Sequence, residues 1–108
     1  MYVVPGVTDM RKAIDGLSML VEEELERDPF SGHLFAFCNR RREMVKVLYW
    51  DRNGFCLWQK RLERGKFKWP SEVEEVKSLD MREFLWLLEG LSILEVKMHE
   101  SLEFKSIT

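Results

Sequence analysis

Two cysteines and two histidines are all that this 108-residue chain offers for thiol chemistry or soft metal ligation. His33, Cys38, Cys56 and His99 match no zinc spacing, so no metal site and no disulfide framework is expected. Both cysteines lie in apolar or aromatic runs with no secretory signal ahead of them, which makes a reducing cytoplasm the expected compartment. The apolar run Phe84–Leu88 is far short of the roughly 20 residues a spanning helix needs, so no membrane role is expected. A phosphate-binding glycine loop, a nucleophile elbow and a dinucleotide fingerprint are all missing, and no cofactor and no enzymatic activity are expected. There is no internal repeat and no low-complexity segment. Hydrophobic residues at 45% and charged residues at 33% are ordinary for a globular chain. One domain over residues 1–108 is expected, burying ~60 to 65% of the surface the unfolded chain exposes.

What the chain has in plenty is positive charge in its middle. From Asn39 to Lys68 there are ten Lys or Arg against three acids, a local net charge of +7 that leaves −9 on the rest of a chain whose total is −2. Such an asymmetry concentrates positive potential where a polyanion or an acidic protein surface can dock. Aromatics are also frequent, at 12% with four Trp.

Hydrophobic spacing gives the elements. Met10, Ala13, Ile14, Leu17, Leu20, Val21 and Leu25 recur with helical period, predicting a first helix with Thr8 as N-cap and an end before Pro29. Gly16 inside it marks a close approach of another backbone. Glu22, Glu23, Glu24 and Glu26 crowd its last turns, where the helix dipole disfavours them; they read as a solvated acidic end or as a docking surface for basic side chains. After the turn residues Asp28–Gly32 the period becomes strand-like. Leu34–Cys38 is apolar on both faces, and Asn39–Arg42 is a polar turn into a strand over Met44–Trp50. Asn53-Gly54 signals a second hairpin turn before Phe55–Lys60. Lys66–Trp69 alternates as a fourth strand ended by Pro70. Asp80 and Glu83 form a capping box for a second helix through Phe84, Leu85, Leu87, Leu88 and Leu91, apolar nearly all round, with Gly90 as its stop, and Leu102 and Phe104 suit a last short strand. The fold class is α+β: a small antiparallel sheet of three to five strands, a hairpin meander, packed with an N-terminal and a C-terminal helix.

Arg40, Arg41 and Arg42 at a hairpin tip, with Lys46, Lys60, Arg61, Arg64, Lys66 and Lys68, supply forked and point-charge donors suited to phosphate oxygens. Tyr49, Trp50, Trp58, Phe67 and Trp69 are interleaved with them and are either core or a stacking platform for bases. Trp86 points away from the Phe84/Leu88/Leu91 stripe and is either buried on a second side or a contact for another chain. Asp9, Asp15 and Asp51 are carboxylates that a magnesium nuclease would use, but Asp9 and Asp15 stand six apart on the expected helix and Asp51 suits its turn.

The segments Thr8-Asp9-Met10-Arg11-Lys12, Asp15-Gly16-Leu17, Asp28-Pro29-Phe30-Ser31-Gly32, Phe37 to Arg42 and Asn53 to Glu63, with Trp69-Pro70, together resemble one family from about Val4 to the end. It is the family of TnpB-type accessory proteins, from the second open reading frame of the insertion-sequence sixty-six group of bacterial transposable elements. The chain begins closer to Thr8 than a full-length member is expected to, so a trimmed N-terminus is expected. The resemblance implies a role in transposition beside a separate, larger transposase that carries the catalytic acidic triad; it brings no catalytic residues with it. The expected partners are transposon-end DNA and that transposase. In the alternative reading the chain is a protein-interaction module that docks the transposase or pairs as a homodimer through the apolar second helix and Trp86.

Overall fold

In the computed structural model residues 1–71 and 77–89 are described. The expected strand at Leu102 and Phe104, the helix residues Gly90 and Leu91 and the charged stretch 72–76 lie outside them. Five strands form one sheet: β1 (Tyr2–Val3), β2 (Phe35–Cys38), β3 (Met44–Asp51), β4 (Gly54–Arg61) and β5 (Lys77–Ser78), in the order β4-β3-β2-β1-β5. The β2-β3-β4 part is the antiparallel meander read from the sequence. β1 lies parallel to β2 and antiparallel to β5, so the sheet as a whole is mixed. The α+β class stands, with helices α1 (Ile14–Glu23) and α2 (Met81–Leu88).

Strand alternation sorts the core into two layers. In β2, Phe35 and Phe37 pack with Leu48, Val4, Leu17 and Val21, so α1 covers that face. Ala36 and Cys38, one residue out of phase, join Val45, Val47, Phe67, Trp69, Phe84, Leu87 and Leu88 on the face covered by α2. β2 is buried at every position because it lies under both layers. Phe67 and Trp69 are therefore core, not a stacking platform.

α2 starts as the capping box requires: the Asp80 carboxylate accepts from the Glu83 backbone N–H at 2.8 Å, and the Glu83 carboxylate accepts from the Asp80 N–H at 3.2 Å.

Four local expectations are corrected. α1 begins at Ile14 after Ala13, not at Thr8. Residues 2–8 run beside 34–38: the Tyr2, Val4 and Thr8 N–H groups donate to Leu34, Ala36 and Cys38 carbonyls at 2.8–2.9 Å, which leaves Thr8 buried ahead of the helix. Asp9 accordingly lies in a turn ahead of the helix, off the face that Asp15 occupies. Gly16 is tight against a side chain rather than a backbone, since a Cβ there would sit 3.2 Å from Lys12 Cβ. In the β3–β4 hairpin Asp51 pairs with Gly54, so the two-residue loop is Arg52-Asn53, and Arg52 rather than Gly54 takes the positive φ of 53°. Lys66–Trp69 is no strand of the sheet. It crosses the α2 face, held by the Phe67 N–H on the Arg42 carbonyl at 2.7 Å and the Trp69 indole N–H on the Val4 carbonyl at 2.7 Å. Its alternation holds all the same, with the two aromatics buried and Lys66 and Lys68 exposed.

Candidate nucleic-acid interface

The hairpin turn carrying the arginines and the loop after β4 meet at one end of the sheet. The Asn39 carboxamide oxygen accepts the Glu43 and Met44 N–H groups at 3.0 and 3.1 Å, closing the turn and turning Arg40 and Arg41 outward. The Leu62 N–H donates to the Glu43 carbonyl at 2.8 Å, beside the Phe67 to Arg42 bond, so residues 62–67 fold back along residues 42–43. Gly65, at φ 78°, provides the left-handed residue this reversal uses. An open groove of about 650 Å³ runs beside the turn, lined by Val7, Asp9, Met10, Asn39, Arg40 and Arg41 among others.

Nine cations were singled out by sequence, and they separate into two sets. Arg42 is half-buried with φ 60°, and its guanidinium donates to the Gly6 carbonyl at 3.1 Å. The Lys46 ammonium donates to the Met10 and Lys12 carbonyls at 2.9 and 3.2 Å, pinning the turn that leads into α1. The Lys60 ammonium donates to the Leu88 carbonyl at 3.1 Å, at the negative end of the α2 dipole. Arg61 is exposed and paired with Glu63 at 3.2 Å. Arg40, Arg41, Arg64 and Lys66 are exposed and, among the described residues, hold no hydrogen bond or ion pair. Lys68 is exposed as well, with an interaction of its own. Lys12 was missed by sequence reasoning: it is exposed, and the Lys46 bond fixes its backbone near the same end. Its place in the Thr8–Lys12 segment was the available signal.

Other titratable groups near this end are engaged. The Asp9 carboxylate accepts both from the Arg11 backbone and, in a forked pair at 2.7–3.1 Å, from its guanidinium. These bonds lower its pKa from 3.8 to about 2. Because the folded value is the lower one, the pair contributes above the ordinary carboxylate range, and that contribution is lost as pH falls toward 2. Titration of the Asp9 carboxyl followed by NMR should give a midpoint near 2, moving part of the way back toward the ordinary range in Arg11→Ala, which removes the guanidinium and keeps the backbone N–H bond. Burial pushes the Cys38 thiol up to about 11, against the partial relief given by Arg42, so it stays protonated at neutral pH.

Trp86 is half-buried, with the Arg82 guanidinium 5.5 Å from its ring centroid. Trp58, on edge strand β4, is the most exposed of the four tryptophans at 43%.

The family described as IS66 Orf2 like protein, TnpB_IS66, matches residues 1–98. The chain belongs to that family. Membership implies an accessory role associated with transposition, alongside a transposase. Two uncharacterized proteins of Sinorhizobium fredii (strain NBRC 101917 / NGR234) are similar to it: y4hO, 37% identical over 90 residues, covering 83% of this chain and 78% of that protein, and y4jC, 36% identical over 89 residues, covering 82% and 76%. No solved structure matches. Among the described residues no helix is long and apolar enough to cross a membrane.

Proposed function

We propose that this TnpB-type chain is a non-catalytic accessory factor that binds DNA, at the transposon ends or within a transposase–DNA assembly, through the basic end of its sheet. The observation that supports this most strongly is the meeting of two separate turns, Arg40-Arg41 and Arg64-Gly65-Lys66, whose four cations are exposed and unpaired among the described residues. Unpaired Arg and Lys at turn tips reach phosphate oxygens without first giving up an internal bond. Among the other cations, Arg42, Lys46 and Lys60 serve the fold first, holding the carbonyls of Gly6, Met10, Lys12 and Leu88.

Contact of this kind is electrostatic and largely indifferent to sequence. With about five phosphates neutralised on duplex DNA, log affinity against log salt should have a slope near −4.5, or roughly a 500-fold loss between about 50 and about 200 mM salt. Fluorescence anisotropy with a duplex from the element's own ends, a scrambled duplex and a single strand measures it. A shallow slope at full affinity overturns the reading; preference for the end sequence adds base recognition to it.

A further inference from the structure

The end of the molecule opposite the arginines carries a second surface, of opposite charge. α1 leaves the basic end, where Lys46 pins its approach, and its last turns carry Glu22, Glu23 and Glu24, followed by Glu26, all exposed. The carbonyl end of the helix adds to their negative potential. The chain then turns through Asp28, whose carboxylate accepts the Phe30 N–H at 2.9 Å, and sets the Phe30 ring on two others: 5.0 Å from Trp50 and 5.2 Å from Phe55, which flank the β3–β4 turn. Phe30 remains 55% exposed there. Beside it a cleft of about 410 Å³ is lined by Glu22, Glu26, Arg27, Asp28, Pro29 and Phe30. Arg27 is the cation of this lining, and its guanidinium sits 4.1 Å from the Tyr2 ring centroid, against three acids, Glu22, Glu26 and Asp28. Among the described residues Glu22 and Glu26 hold no ion pair.

We propose that this acidic aromatic end docks a basic peptide segment of a partner protein, one that brings a bulky apolar side chain onto Phe30, Trp50 and Phe55 while its Arg or Lys residues meet Glu22 and Glu26. The occupant's chemistry follows from complementarity. An exposed ring on an aromatic base rewards apolar and cationic groups, and unpaired carboxylates at a helix C-terminus repel nucleic acid and reward cations. The chain is then two-ended, with polyanion contact at one end and a basic protein segment at the other, and the second contact does not depend on the first.

The test uses the full chain, labelled with nitrogen-15, titrated with three synthetic ten-residue peptides: alternating Arg and Leu, alternating Arg and Ser, and alternating Glu and Leu. The Arg/Leu peptide should bind saturably and shift the Trp50 indole resonance, with each of the other two at least about tenfold weaker. Glu22→Gln/Glu26→Gln should weaken it about tenfold at an unchanged melting temperature, since both side chains are exposed; Phe30→Ser, which also gives up the ring contacts with Trp50 and Phe55, should weaken it about tenfold while the chain stays folded. Affinity unchanged in both variants, equal binding of the Glu/Leu peptide, or shifts confined to other residues overturns the proposal. Head-to-tail self-association, seen by sedimentation and lost in Arg40→Glu/Arg41→Glu, also overturns it by making the chain's own basic end the occupant. Duplex binding reads only the other end, so its failure leaves this result standing.

Discussion

Trp69→Ala should cost this fold about 4 kcal/mol, lowering the melting temperature by roughly 15 °C or more. Trp69 is 9% exposed in the α2-side core, and its indole N–H bonds the Val4 carbonyl at 2.7 Å across 65 positions of sequence. Truncation therefore does two things at once. It opens a cavity among Phe67, Leu79, Phe84 and Leu87, and it leaves the Val4 carbonyl without its donor next to the parallel β1–β2 pair. Trp69→Phe separates the two effects, keeping most of the apolar contact and losing the hydrogen bond, for about 1 to 3 kcal/mol. Urea unfolding followed by far-ultraviolet circular dichroism measures both. A loss under 1 kcal/mol for Trp69→Ala would mean that the 66–70 segment lies loosely on the sheet. Its position as a platform for Lys66 would then fall with it.

That segment also marks what sequence could and could not say. Alternation of Phe67 and Trp69 with Lys66 and Lys68 predicted which side chains are buried, because burial depends only on the two faces of an extended chain. It could not predict whether the backbone joins a ladder, since that depends on a partner strand set by tertiary position. The same division runs through the rest of the fold. The Asn39–Arg42 turn, the β3–β4 hairpin and the Asp80 capping box were legible because each is closed by residues within a few positions of one another. The start of α1 was not. Thr8 has the right chemistry for an N-cap, but its backbone N–H is taken by Cys38, 30 positions away. The parallel β1–β2 pair, two residues long on each strand, left no periodic trace at all. For the site, the sequence supplied the cations and their clustering. It could not show that Arg42, Lys46 and Lys60 are bound to the carbonyls of Gly6, Met10, Lys12 and Leu88, because each bond spans 28 positions or more.

This sorting of cations leads to the largest expected effect on binding. Replacing Arg40, Arg41, Arg64 and Lys66 together with Ala should reduce duplex affinity by at least about a hundredfold near 100 mM salt and flatten the log-log salt slope from about −4.5 to about −1, since up to four phosphate contacts are lost. Stability should hardly change, because these are exposed side chains that, among the described residues, hold no bond. Lys46→Met and Lys60→Met should do the reverse. Each removes a charged donor from backbone carbonyls at a turn or helix end and costs about 1 to 3 kcal/mol, while the salt slope stays within about one unit of the parent. Stability and salt dependence are thus expected to move in different variants, which a uniformly basic surface would not produce. If Lys46→Met flattens the slope as much as Arg40→Ala, its ammonium reaches phosphate in the complex and the Met10 and Lys12 bonds are given up on binding. The slope of the quadruple variant carries the sharper distinction. A value still near −4 would move the DNA contact off these two turns altogether, to Arg61 and Lys68 along the rest of the basic track, and would leave the Arg40-Arg41 tip for an acidic protein partner.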